Sequence, residues 1–111
     1  MSDDAGLFSN FVHFKDPPHR TDMEKIIVDK ELRHRIFEEQ NHKCNACQIK
    51  MELRHFELDH IIPKAKGGGD YYENFQLLCS SCNRIKGDRP MAYVIMKIKK
   101  MNKELKYKIS F

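Results

Sequence analysis

Apolar and polar positions follow two rhythms along this chain, and the change from one to the other marks the elements. Leu32, Ile36 and Phe37 recur at helical spacing on one face. Asp29 stands before them as an N-cap and Glu31 suits the first turn, so the pattern predicts a helix from Lys30 to about Gln40, ending near Asn41. Residues 53–61 alternate in part, with Leu53, Phe56, Leu58 and Ile61 among polar positions. That predicts a strand from about Phe56 to His60, stopped by Pro63. Lys64 to Tyr72, around Gly67-Gly68-Gly69, reads as a loop too flexible for regular structure. Phe75 to Leu78 predicts a short second strand. Ser80 then opens a helical turn through Cys82, Asn83 and Ile85, ended by Gly87. Asp88 is the expected N-cap of a last helix, with Pro90 in its first turn, reaching about Leu105. Ala92, Ile95, Met96, Ile98, Met101 and Leu105 form its apolar stripe, a core face, with Lys97, Lys99, Lys100 and Lys103 mostly off it.

Outside this patterned region the rhythm fades. Residues 1–28 carry little helical pattern, and Asp16-Pro17-Pro18-His19-Arg20 breaks any that exists. They read as an arm or linker, whose Leu7, Phe8, Phe11, Val12 and Phe14 could dock on the domain or on a partner. Residues 29–106 form the domain proper, and 107–111 a tail that is a weak strand or frayed.

Composition narrows the class. A chain of 111 residues makes one domain. A chain of this size buries only about 65% of its unfolded surface, so a staple would help the core. With 41% hydrophobic residues, 32% charged and no Trp, the chain reads as soluble and globular. Its longest apolar run, which includes Ala92 to Met96, is far too short to cross a bilayer. The acidic start Met1-Ser2-Asp3-Asp4 lacks the features of a signal peptide, so a cytoplasmic location and no membrane contact are expected. Thiols stay reduced there, which favours metal binding over disulfides.

Cysteine spacing supplies the staple. Cys44-x-x-Cys47 and Cys79-x-x-Cys82 each put two sulfurs on one turn, and four thiolates suit a tetrahedral structural Zn²⁺. Buried free thiols or a redox pair are the alternative. His42 and His55 lie nearby, but four cysteines already complete the shell. The 31 residues between Cys47 and Cys79 exceed a simple zinc ribbon, so something is inserted: the Asp59-His60 strand and the glycine loop.

Charge is uneven. The formal balance is +4, but residues 84–111 hold nine Lys/Arg against two Asp/Glu. A solvated helix face accounts for such a block; beside a phosphate-handling site, backbone contact to nucleic acid accounts for it better.

Cys44-x-x-Cys47, Leu58-Asp59-His60-Ile61-Ile62-Pro63, Gly67-Gly68-Gly69, Glu73-Asn74, Leu77-Leu78-Cys79 and Ser81-Cys82-Asn83-x-x-Lys86-Gly87 together resemble the HNH endonuclease family over roughly residues 40–90. The resemblance implies an α+β fold: a ββα-metal core stapled by a four-cysteine zinc site, with flanking helices. It implies metal-dependent hydrolysis of DNA, with duplex as the expected partner. His60 takes the place of the general base. Asp59 takes that of the carboxylate ligand of a catalytic divalent ion, Mg²⁺, Mn²⁺ or another. Asn74 matches the residue that helps orient the base. Asn83 takes the last signature position, where many members have His, as a neutral oxygen ligand of the same ion. Segments such as Asp16 to Asp22 and Lys86 to Met91 also resemble HNH domains at the C-terminal end of bacterial or phage DNA-modification proteins, which implies a larger parent protein.

The chemistry suits these residue types. An imidazole accepts the proton of an attacking water near neutral pH. A hard divalent ion acts as Lewis acid on phosphate and accepts oxygen ligands such as Asp59 and Asn83. Arg84, Lys86 and Arg89, with Lys64 and Lys66 on the glycine loop, are the expected phosphate contacts. Adjacent strand residues point to opposite faces, so Asp59 and His60 serve one site only if the strand ends or twists there. Two other classes compete: a zinc module that binds nucleic acid without cutting, and a protein-interaction zinc domain. Asp59, His60 and Asn74 together argue against the first; the basic block and Asn83 argue against the second. One such site cuts one strand, so a double-strand break would need a homodimer, a second domain or two encounters.

Overall fold

The helical rhythm of residues 30–40 is realised as helix α1, Lys30–Glu39. Asp29 caps it, its Oδ1 accepting from the backbone N–H of Leu32 at 3.0 Å. The helix stops because Asn41 (φ 56°) and His42 (φ 63°) turn left-handed, a conformation asparagine and histidine adopt more readily than most residues. The computed structural model of the chain describes residues 16–17 and 27–109, with side chains through Lys103. The arm residues Leu7, Phe8, Phe11, Val12 and Phe14 lie outside the described residues, as does the end of the tail.

After α1 the chain makes a knuckle. Lys43 bridges Lys50, and within that bridge Cys44 N–H donates to Ile49 O at 2.9 Å. A single helical turn, Leu53–His55, leads into strand β1, Phe56–His60, whose bounds agree with the alternation. β1 pairs antiparallel with β2, Phe75–Cys79, in the register Phe56↔Cys79, Leu58↔Leu77 and His60↔Phe75. Helix α2, Ser80–Lys86, follows directly and ends at Gly87. Helix α3, Met91–Ile109, completes the described chain. The order strand, strand, helix is the small α+β core expected from the sequence.

Three features depart from the sequence reading. The glycine loop is built rather than loose. It folds as two short turns, Lys64–Lys66 and Tyr72–Asn74, and Gly67 takes a left-handed φ of 92°. A Cβ on Gly68 would lie 1.7 Å from Ile62 O, so the backbone approaches there as only glycine permits. Second, Asp88 does not cap α3. It sits in a turn closed by Arg89 N–H to Lys86 O at 2.8 Å, and Pro90 directly precedes the first helical residue, its carbonyl accepting from Tyr93 N–H at 3.0 Å. The helix also runs past Leu105 to Ile109, through part of the expected tail.

Third, the buried face of α3 is Met91 and Val94, with Ile98 half-buried below them; Ala92, Met96 and Met101 face outward. The stripe is rotated from the expected one because Met91 itself plugs the core, its Sδ accepting from Gln76 Nε2 at 3.2 Å. That core joins Leu32, Ile36 and Phe37 of α1 to Phe56, Phe75, Leu77 and Leu78 of the sheet, and reaches Cys44 and Cys82. α1 is tied to β2 by Gln40. Its Oε1 accepts from Leu77 N–H at 2.9 Å and its Nε2 donates to Leu77 O at 3.0 Å, so the side chain pairs with β2 much as a neighbouring strand would.

Candidate active site and metal centre

The two Cys-x-x-Cys turns converge. The sulfurs of Cys44, Cys47, Cys79 and Cys82 all lie within 4.8 Å of one another. A tetrahedral thiolate site with metal–sulfur bonds of about 2.3 Å has edges of about 3.8 Å, and Cys47 Sγ to Cys79 Sγ measures 3.8 Å. That is far longer than a disulfide, and all four cysteines are free. The cluster could hold a metal such as zinc. Its protonation agrees: the Cys44 thiol is drawn down to about 4, first by its hydrogen bond with Cys82, against the cost of burial, and then by backbone N–H groups of Cys79 and Ala46. The Cys47 thiol is pushed up to about 11, chiefly by burial, and Cys82 is raised as well, first by its bond to Cys44. Cys44 is thus lowered while Cys47 and Cys82 are raised, and a coordinated cation would favour the thiolate form of the cluster. His42 is no competitor, since it stacks on Phe37 at 4.2 Å and lies 3.0 Å from Glu38.

Asp59 is wired to this centre. Asn45, next to Cys44, donates through Nδ2 to Gln76 Oε1 at 2.7 Å, and Gln76 Nε2 donates to Asp59 Oδ2 at 2.9 Å. Asp59 and Gln76 are directly paired across the sheet, which is why the side chains meet. Lys86 reaches back from α2 to the same carboxylate oxygen, 3.2 Å away, and donates to His60 O at 2.9 Å. Lys86 is wholly buried. This overturns its assignment as a phosphate contact: α2 packs across β1, and the long side chain ends inside, between Asp59 and the end of the strand.

Asn83 lies on the same helix one turn earlier. Its Nδ2 donates to Glu57 Oε1 at 2.6 Å, an exposed contact. The contacts with Gln76 and Lys86 thus both fall on Asp59 Oδ2, and the contact with Glu57 falls on the Asn83 nitrogen. The Oδ1 atoms of Asp59 and Asn83 take no part in these contacts, and they are hard oxygen donors of the kind Mg²⁺ or Mn²⁺ accepts.

His60 ends β1, with its ring tilted against Phe75, centroids 4.9 Å apart. Its Nε2 lies 2.8 Å from Asp70 Oδ1, and Lys64 Nζ lies 3.3 Å from Asp70 Oδ2. Asp70 is held below the usual carboxylate range, first by the His60 bond, then by Lys64, against a burial cost. Asn74 is buried, and its side chain clamps the loop. Oδ1 accepts from Ile62 N–H at 2.8 Å, and Nδ2 donates to Ile62 O at 3.1 Å and Gly69 O at 3.0 Å. These bonds hold backbone rather than the His60 ring. Support for the ring passes through the backbone, where Ile61 N–H donates to Asn74 O at 2.8 Å, and through the loop that carries Asp70.

Of the remaining basic candidates, Arg84, Arg89, Lys64 and Lys66 are exposed. Arg89 is braced by a bond to Ile85 O at 3.0 Å and lies 4.7 Å over the Tyr93 ring. The sequence reading missed Asp70, Gln76 and Glu57. Two signals were present: a carboxylate closing the glycine loop, and a carboxylate two residues before Asp59, hence on its face of the strand. Gln76 had no signal short of the strand register.

Residues 44–89 match the HNH endonuclease family. A segment of 61 residues is 34% identical to the CRISPR-associated endonuclease Cas9 of Corynebacterium diphtheriae, covering 54% of this chain and 6% of that protein. The crystal structure of the Type II-C Cas9 enzyme from Actinomyces naeslundii aligns with a TM-score of 0.56 over 86% of this chain and 10% of that one, at 23% identity, a likeness of fold. The chain thus spans a tenth or less of either protein's length. Among the described residues, no helix is long and apolar enough to cross a membrane.

Proposed function

We propose that this chain, whose residues 44–89 match the HNH endonuclease family, hydrolyses phosphodiester bonds of DNA, with duplex as substrate. The observation that carries the reading is that α2 packs across β1, with Lys86 bonded both to Asp59 and to His60 O at the end of the strand and Asn83, one turn earlier, bonded to Glu57 on the Asp59 face. His60 is the general base that takes the proton of the attacking water. Asp59 and Asn83 would hold one divalent ion, Mg²⁺ or Mn²⁺, through their Oδ1 atoms. When bound, that ion supplies Lewis-acid charge for the phosphate and the departing 3′ oxygen. Asn74 keeps the loop beside His60 in shape. The four cysteines bind zinc in a structural role, and Asn45 and Gln76 carry its rigidity to Asp59. Exposed Arg84 and Arg89, with Lys64 and Lys66, contact the DNA backbone.

The short span relative to its matches supports a further part of this reading, that the chain acts within a larger parent protein. The test is incubation of supercoiled plasmid with the chain and Mg²⁺ or Mn²⁺, with His60→Ala as control. Nicked product that disappears in the variant is the expected result. Plasmid retained on the protein but never cut would favour a zinc module that binds without cleaving.

A further inference from the structure

His60 has two ring nitrogens, and only one can be the base. Nε2 lies 2.8 Å from Asp70 Oδ1. An ionised carboxylate only accepts, so the hydrogen between them belongs to Nε2. In the neutral ring the lone pair is then on Nδ1. We propose that Asp70 is the positioning residue of His60: it fixes the Nε2–H tautomer and the ring plane, and so makes Nδ1 the atom that receives the water's proton. The assignment rests on the nuclease reading above and deepens it.

The surroundings make Asp70 a fixed acceptor. Lys64 Nζ lies 3.3 Å from its other oxygen, and the side chain is 21% exposed. The hydrogen bond with His60 holds its carboxyl below the usual range, so it stays ionised at neutral pH. The backbone just before it is clamped, because Gly69 O accepts from Asn74 Nδ2 at 3.0 Å. Gly68 is pressed against Ile62 O with no room for a side chain. On its other side the His60 ring meets Phe75. An imidazole between a fixed acceptor and a ring has lost most of its rotational freedom before substrate arrives, and a base so placed need not be oriented during the reaction. In the step itself the O–H bond of water breaks and its proton passes to Nδ1. The water oxygen bonds to phosphorus, and the P–O3′ bond breaks with its electron pair on the 3′ oxygen, which is protonated by solvent.

A carboxylate that merely ties down the loop would not move the tautomer. The full chain labelled with ¹⁵N is measured by long-range ¹H–¹⁵N correlation at alkaline pH, where imidazoles are neutral. His60 is expected as the Nε2–H form. Asp70→Asn, whose amide can accept or donate, is expected to populate both tautomers. On plasmid with Mg²⁺ it should lower kcat at least about 10-fold, and by no more than the roughly 10⁴-fold lost when the carboxylate partner of a catalytic imidazole is removed, with KM for DNA unchanged. Asp70→Glu should recover part of the kcat and the Nε2–H signal. A wild-type His60 in the Nδ1–H form overturns the proposal, as does Asp70→Asn with wild-type kcat. The wild-type spectrum decides the assignment even if the variants fail to fold. A wild-type chain that cuts no DNA would sink the nuclease reading, and the spectrum would still judge Asp70.

Discussion

Lys86 Nζ lies 3.2 Å from Asp59 Oδ2, and the lysine side chain has no exposed surface. Removing one member of a buried pair costs more than the pair contributes, because the other charge is left without a partner. Lys86→Met should therefore destabilise the domain by about 3–5 kcal/mol. It should leave the salt dependence of DNA binding unchanged, since Lys86 does not reach the surface. Urea unfolding measures the first effect and a salt titration of binding the second. A variant as stable as wild type would mean that Asp59 keeps other compensation.

Lys86 also marks where sequence legibility ends. The elements were legible, because each depends on neighbours in the chain: Asp29 caps α1, alternation bounds β1, and Gly87 ends α2. The thiol cluster was legible because Cys-x-x-Cys is a local spacing. Lys86 looks like a phosphate contact in the sequence because its partners Asp59 and His60 are far away along the chain, and only the packing of α2 on β1 brings them close. The same holds for Asp70, whose partner lies across the glycine loop, and for Gln76, whose meeting with Asp59 requires the register. The buried face of α3 differs from the expected stripe because that helix is apolar on more than one face. Whether Met91 or Ala92 turns inward is decided by Gln76 and the core around it. The glycine run looked flexible by composition, yet the whole Asn74 side chain is engaged in holding it.

The thiol cluster makes a second prediction. If the four thiols bind zinc, a domain this small, with Cys44 and Cys82 in its core, should draw much of its folding free energy from that metal. Cys44→Ser should melt far below wild type and retain less zinc, and a strong chelator should act likewise on the wild-type chain. Calorimetry with metal analysis reads both. A zinc-free chain that melts like the loaded one would remove zinc from the fold.

Arg84 and Arg89 are exposed on and just after α2. If they contact phosphates, changing both to Ala should weaken binding to unrelated DNA sequences about equally. It should also flatten the slope of log affinity against log salt by about 0.9 per lost contact. An unchanged slope would place the contacts elsewhere, with Lys64, Lys66 and the exposed lysines of α3 the next to test.

The last prediction separates the base from the ligands by their response to metal concentration. Asn83→His should keep cleavage while shifting preference toward Mn²⁺, Co²⁺ or Ni²⁺, because neutral imidazole coordinates such ions and is softer than an amide oxygen. His60→Asn should bind metal and DNA but lose general-base catalysis, roughly 10²–10⁴-fold in rate, and excess metal should not restore it. For Asp59 the informative change is to Asn. Asp59→Ala would also remove the partner of buried Lys86, mixing lost stability with lost metal binding. Asp59→Asn also removes the counter-charge of Lys86, but it keeps the size of the side chain and an amide oxygen that Gln76 and Lys86 can donate to. It should therefore lose less stability than Asp59→Ala and show its loss of metal affinity, partly recovered at high metal, in a chain that still folds. Cleavage rate against metal concentration, measured for all three variants after their folding is checked, gives three different curves: displaced toward other ions, flat and low, and shifted to higher concentration. If His60→Asn is rescued by metal while Asn83→His is dead at every concentration, the two roles are reversed.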